Sequence, residues 1–174
     1  MRLRDGEELR LAPATAPACY ALVPEVMDPG QMQYMHVPAY RHTGDAMRFL
    51  ASLTDTSGPG QSWLLRVSDR VVGWVSVFNV QEDTAELGYF VGARHAGRGL
   101  ATAAAHRITR LAHGELGFRR LSATTDPRNT ASRRVLERCG FLHEGTQRSN
   151  FRYGDAWLDT ALFGRLATDP VPPL

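Results

Sequence analysis

The chain has 174 residues, 43% of them hydrophobic and 22% charged, which suits a single domain, 1–174, with a real core. The net charge of +2 is too small to imply a nucleic-acid partner, and no apolar run approaches the roughly 18 residues of a membrane helix. All 20 basic residues are arginine, which excludes a Schiff-base lysine and the lysine of a Walker-type phosphate loop.

Met1 to Glu8 carries charges without an apolar core, so no secretory signal is read there and the cytoplasm is the expected compartment. Glu8 to Leu11 reads as a first strand. Thr15 to Met27 reads as a helix interrupted early by Pro17 and ended by Asp28-Pro29-Gly30. Gln31 to Tyr40 is rich in Met and Tyr and fits a loop or a short helix. Thr43 is placed to cap a helix to about Ser52, with Met47, Leu50 and Ala51 on one face.

Ser62 to Val67 and Val71 to Asn79 read as strands around the turn Ser68-Asp69-Arg70, and Ala85 to Val91 as a third. Leu100 to Ala112 is a helix rich in small residues, followed by a strand at Leu121 to Thr125. Asn129 to Cys139 is a short helix whose terminator is Gly140. Strands at Leu142 to Phe151 and Ala156 to Leu166 turn at Tyr153-Gly154-Asp155, and the tail, 167–174, is expected to be flexible. The fold class is α/β (α+β): one mixed, mostly antiparallel sheet flanked by helices, with a core over about 8–166.

One segment carries specific chemistry. The strand ending at Phe90-Val91 leads into Arg94-His95-Ala96-Gly97-Arg98-Gly99-Leu100-Ala101. A helix N-terminus offers unpaired N–H groups and a partial positive charge, and glycines leave that backbone open to an anion. Arg94 and Arg98 can add charge-assisted bonds. A P-loop needs the missing lysine. A dinucleotide fold matches Gly97-x-Gly99 but has Thr102 at the third glycine and no acid over Gly117 to Leu121. Coenzyme A is the third anion that such a turn can hold.

Arg94-x-x-Gly97-x-Gly99-x-Ala101 resembles the Gln/Arg-x-x-Gly-x-Gly/Ala motif of the GCN5-related N-acetyltransferases. Ala85-Glu86-Leu87-Gly88-Tyr89-Phe90, the block Asn129-x-x-Ser132 through Val135-Leu136-Glu137 to Gly140-Phe141-x-x-Glu144-Gly145, and Trp157-Leu158-Asp159 are similar to the RimJ/RimL branch, which modifies ribosomal proteins. The resemblance implies acetyl-CoA as cosubstrate, no metal, and direct transfer to a primary amine. It makes a protein N-terminal α-amino group the first acceptor; a small amine or antibiotic, or a non-catalytic acyl-CoA sensor, is the alternative. It implies that the pantetheine arm runs along Phe90 and Val91, and that Gly97, Arg98, Gly99, Leu100 and Ala101 hold the pyrophosphate with Arg94. Asn129 would bind the arm and Ser132 would sit near the thioester sulfur. The family includes monomers and homodimers.

Glu86 is the first candidate base, because a carboxylate on a central strand needs a cavity or a partner. In some enzymes of the branch the base is a glutamate in the penultimate strand, but Arg148 to Arg152 contains no acid. Ser132 has a competing reading as a helix cap, and Asn129 as an ordinary N-cap. Tyr34, His36 and Glu86 are candidates for acceptor binding. The six histidines lack paired ligand spacing, and His106 and His113 are read as a solvated helix face. Cys139, Trp63 and Trp74 read as core, and Trp157 as core or pocket wall.

Overall fold

The computed structural model describes residues 6–173, so the reading of Met1 to Asp5 lies outside the described residues. The chain opens with β1 (Leu9–Pro13) and four short helices: α1 (Ala16–Cys19), α2 (Val23–Val26), α3 (Pro29–Met32) and α4 (Thr43–Ser52). Then come β2 (Gln61–Val67), β3 (Arg70–Gln81), β4 (Thr84–Val91), α5 (Leu100–Gly114), β5 (Arg120–Thr125), α6 (Thr130–Arg138), β6 (Leu142–Tyr153) and β7 (Ala156–Leu166). Seven strands form one sheet in the order β1-β2-β3-β4-β5-β7-β6. Every neighbouring pair is antiparallel except β4 and β5.

Strand alternation sorts the core into two layers. Leu65, Val75, Val77, Leu87 and Leu121 face α5 and α6, where Ile108, Leu136 and Phe141 are buried. Leu64, Trp74 and Phe90 point the other way and pack on Leu22, Val26, Met32 and Leu50 of the N-terminal helices. Cys139 is buried in the first layer, and Trp63 packs against it. The small residues Ala103, Ala104, Ala105 and Ala112 let α5 lie close on the sheet. The β2–β3 turn has Ser68 and Asp69 at φ 46° and 65°, the left-handed pair that matches strand twist in a two-residue hairpin.

Several readings of the sequence need correction. The helix over Thr15 to Met27 is in pieces, because Pro17 and Pro24 each sit in the first turn of a new segment. Asp28-Pro29-Gly30 ends one helix but also starts the next: Asp28 accepts from the Gly30 and Gln31 amides at 2.7 and 3.1 Å. His42, not Thr43, is the N-cap of α4. The histidine face of α5 is not solvated. His106 is buried and its Nε2 donates to the Pro172 carbonyl at 3.0 Å. His113 donates Nδ1 to the Phe118 carbonyl at 2.7 Å, and burial pushes its pKa down.

The segment after β7 takes part in further contacts of this kind. Arg165, 2% exposed, donates to the Asp169 and Pro170 carbonyls at 3.2 and 3.0 Å. The Leu166 amide donates to the Asp169 carboxylate at 2.8 Å. The tail lacks regular structure, yet it is fastened across β7 and α5. Glu144 also acquires a structural role: it takes a bidentate pair from Arg120 at 2.9 and 2.5 Å. That pair lies over Gly164, where an added Cβ would run into the Glu144 carboxylate.

Among the described residues no helix is long and apolar enough to cross a membrane, and no three His, Cys, Asp or Glu side chains cluster as a metal site.

Candidate active site

The parallel pair β4–β5 is zipped only from Thr84↔Arg120 to Glu86↔Ser122. Beyond Glu86 the two strands part. The Gly92 amide donates to Val72 of β3 at 2.9 Å. Peptide groups alternate along a strand, so Tyr89 and Val91, past the last bridge to β5, turn theirs into the gap. These are unpaired amides of the kind that can hold an extended arm or an oxyanion. The gap opens into a cleft of about 1240 Å³.

One end of the cleft is the glycine turn. Gly97 and Gly99 have φ 76° and 79°, and a Cβ on either would meet nothing within 4 Å. Glycine is therefore required by backbone conformation and gives an open approach to the first amides of α5. That helix has no side-chain cap, so those amides are free for an anion. Gly97, Gly99, Leu100 and Ala101 all line the cleft, as do Phe90 and Val91. The two motif arginines do not. The exposed Arg94 lines a separate hollow with Glu25, Arg66 and Arg70. Arg98 pairs with Glu7. The arginines facing the cleft are Arg134 and Arg138, one turn apart on α6. Their four-residue spacing in Arg134-Val135-Leu136-Glu137-Arg138 is the sequence signal for them.

Where the strands part, Glu86 lines the cleft and both its oxygens are engaged. Oε1 accepts from Thr124 Oγ1 and Oε2 from Asn79 Nδ2, each at 3.0 Å. Asn79 reaches Glu86 because the β3–β4 ladder is irregular between Phe78 and Gln81, with Asn79 at φ 48°. Two donors suit an ionised carboxylate, which can also hold an ammonium group or accept a proton through water.

Asn129 and Ser132 both line the cleft. The Asn129 side-chain oxygen accepts from the Ser132 amide at 3.0 Å, so Asn129 is the cap of α6. The Ser132 hydroxyl does not cap; it lies 2.9 Å from the Tyr89 phenol. Tyr89 also donates to the Ser132 carbonyl at 3.0 Å, and burial pushes its pKa up, so the phenol stays neutral.

Asp126, 4% exposed, fixes the turn that presents Asn129. Its carboxylate accepts from the Arg128 amide at 2.8 Å and from the guanidinium at 2.9 and 2.6 Å; its carbonyl accepts from the Asn129 amide at 2.9 Å. The Arg128 guanidinium holds the Asp126 carboxyl below its ordinary value. A depressed folded-state pKa gives stability that is present above the unfolded pKa of about 3.9 and lost as pH falls through the folded one. Asp126→Ala is expected to cost about 1–3 kcal/mol in denaturant melts at pH 7, and the difference from the wild type is expected to shrink below about pH 4.

At the other end, Tyr34, Met35 and His36 line the cleft. The His36 ring lies 4.8 Å from that of Phe151, and Arg128 sits 5.9 Å over the Tyr34 ring. Tyr40 instead stacks on Phe49 at 5.3 Å, in the core behind. Asn150 enters the cleft from an irregular stretch of β6, between Gln147 and Phe151, where Ser149 has φ 47°. Trp157 is 60% exposed and is neither core nor cleft wall. Glu86 and Asp55 are the carboxylates that line the cleft among the described residues.

This arrangement can grip an anion at one end, extend an arm along unpaired amides and meet an amine at a carboxylate. A family model described as an acetyltransferase (GNAT) domain matches residues 8–142. A probable N-acetyltransferase of Bacillus subtilis (strain 168), YjcK, is 38% identical over 104 residues, spanning 58% of this chain and 58% of that protein. Among solved structures, the ribosomal L7/L12 α-N-protein acetyltransferase RimL, in complex with coenzyme A, superposes with a TM-score of 0.82 at 18% identity. The match covers 91% of this chain and 93% of that one. Spermidine N-acetyltransferase from Vibrio cholerae, bound to CoA and spermine, gives 0.81 at 16%, covering 92% and 96%. The chain belongs to the acetyltransferase (GNAT) family.

Proposed function

We propose that the protein transfers the acetyl group of acetyl-CoA directly to a primary amine, and that its acceptor is a protein N-terminal α-amino group, as in the RimJ/RimL branch. The observation that carries this reading is the Glu86 carboxylate, held at the point where β4 and β5 separate.

In this account the amides at the start of α5 bind the pyrophosphate, helped by Arg134 and Arg138. The gap-facing amides of β4 hold the pantetheine arm, and one of them receives the negative charge that develops on the carbonyl oxygen. The amine nitrogen attacks the thioester carbon and the carbon–sulfur bond breaks, with its electron pair going to sulfur. The amine's proton passes to Glu86, directly or through water. Ser132 donates a hydrogen bond to the departing thiolate. Tyr34 and His36 form the wall against which the acceptor is seated.

The charges lining the cleft favour one acceptor amine over several. Two carboxylates, Glu86 and Asp55, face Arg134 and Arg138, while Phe49, Trp74, Phe78 and Phe151 supply apolar walls. A polyamine would need more carboxylates than this to balance its charges. A peptide with one terminal amine and an apolar first side chain meets no such demand. The test is a competition for acetyl-CoA between such a peptide and spermine. The peptide is expected to be acetylated with kcat/KM at least about tenfold higher, a difference of about 1.4 kcal/mol. Preference for spermine would move the assignment to a small-amine enzyme.

A further inference from the structure

We propose that Tyr89 is a positioning residue for the transfer step, holding the Ser132 hydroxyl so that it can donate into the cleft. This rests on the role given above to Ser132. Tyr89 lies outside the glycine motif and the Asn129 block, and nothing in its strand pattern marks it apart from its neighbours.

The hydrogens available to the pair can be counted. The phenol has one, and two Ser132 oxygens lie within reach at nearly equal distance: the carbonyl at 3.0 Å and Oγ at 2.9 Å. The carbonyl can only accept. Oγ can donate or accept. When the phenol donates to the carbonyl, the serine hydroxyl has the phenol oxygen as its acceptor. When the phenol hydrogen swings to Oγ, the serine hydrogen is free to turn toward the cleft that Ser132 lines. A developing thiolate favours the second arrangement, because a hydrogen bond to a charged acceptor is stronger than one to a neutral oxygen. Burial keeps the phenol protonated throughout, so Tyr89 is a donor and not an acid. No proton leaves Tyr89 or Ser132: the amine's proton ends on Glu86, and the sulfur leaves as a hydrogen-bonded thiolate.

The position of Tyr89 favours this role. Its backbone is on the freed half of β4 and its side chain crosses to the first turn of α6. It therefore ties the freed half of β4 to α6, the helix that follows β5. A purely structural tie predicts a loss of folding stability and an effect on acetyl-CoA binding. A positioning role predicts a loss confined to turnover.

The experiment is a double-mutant cycle on the whole protein with Tyr89→Phe, Ser132→Ala and both together, reading kcat, the KM for acetyl-CoA and the melting temperature. Tyr89→Phe is expected to lower kcat about tenfold. Its KM for acetyl-CoA should stay within about twofold of the wild type. In the Ser132→Ala background the same change is expected to do nothing further, because Tyr89 acts only through that hydroxyl. If the two losses multiply, Tyr89 acts independently and this proposal fails while the role of Ser132 stands. If Ser132→Ala alone leaves kcat unchanged, both fail. A Tyr89→Phe protein with wild-type kcat, or one that loses only acetyl-CoA binding, also overturns it. Tyr89→Phe keeps the ring that packs against the α5–α6 layer, so the variant is expected to fold.

Discussion

Glu86→Gln is expected to lower kcat about a hundredfold, within the range for losing a positioned base, while leaving the KM for acetyl-CoA and the fold nearly unchanged. The change is close to isosteric. Glutamine keeps one oxygen to accept from Thr124 Oγ1 or Asn79 Nδ2, but presents an amide hydrogen to the other donor. One hydrogen bond of about 1 kcal/mol is lost at a half-buried site, too little to unfold a domain of this size. The chemical loss is larger because the amide cannot take the proton from the attacking nitrogen. Steady-state kinetics at saturating amine, together with a melting curve, separate the two effects. A Glu86→Gln enzyme with normal kcat would leave the carboxylate a structural pin between β3 and β5.

The second large effect falls at the opposite end of the cleft. Gly99→Asp is expected to weaken acetyl-CoA binding at least about 100-fold, some 2.7 kcal/mol, without unfolding the protein. Gly99 has φ 79°, and aspartate is one of the few side chains that enters the left-handed region, at roughly 1–2 kcal/mol. The space around a new Cβ there is open, and a carboxylate at a helix N-terminus interacts favourably with the helix dipole. The variant thus places a negative charge where the pyrophosphate would lie and leaves the backbone in place. Acetyl-CoA should raise the melting temperature of the wild type but not of Gly99→Asp. Gly99→Ala brings the strain without the charge and should lose less. Equal losses in the two variants would mean that the turn matters for its shape and not for an anion.

The succession of strands and helices along the chain and the glycine turn could be read from the sequence because they depend on local rules. A run rich in Val, Trp and Phe made β3, and a strand running into Gly97-x-Gly99 made a left-handed turn into α5. Even the face of Glu86 followed from the period of two. What could not be read depended on departures from regular geometry or on distant partners. An irregularity in β3 swings Asn79 onto Glu86, and another in β6 brings Asn150 into the cleft. Neither has a strong sequence signal. The pairing of Arg98 with Glu7 joins residues 91 positions apart, so the motif arginine offered for phosphate lies elsewhere. The tail reads as loose because its Pro-rich composition forms no helix or strand. Its carbonyls nevertheless accept from Arg165 Nη2 and His106 Nε2, on two buried side chains for which the sequence suggests no partner. The Ser132 reading shifted most usefully: the cap belongs to Asn129, which leaves the serine hydroxyl free of that duty.

Acetyl transfer in the cleft between β4 and β5 is the central proposal. Its most direct test is the release of free thiol from acetyl-CoA by the wild-type protein, with and without a peptide carrying a free α-amino group. Release that depends on the peptide, with one acetyl group found on the peptide's terminal nitrogen, is the predicted result. Tight binding of acetyl-CoA with no amine-dependent thiol release would contradict it and would make this chain an acyl-CoA sensor.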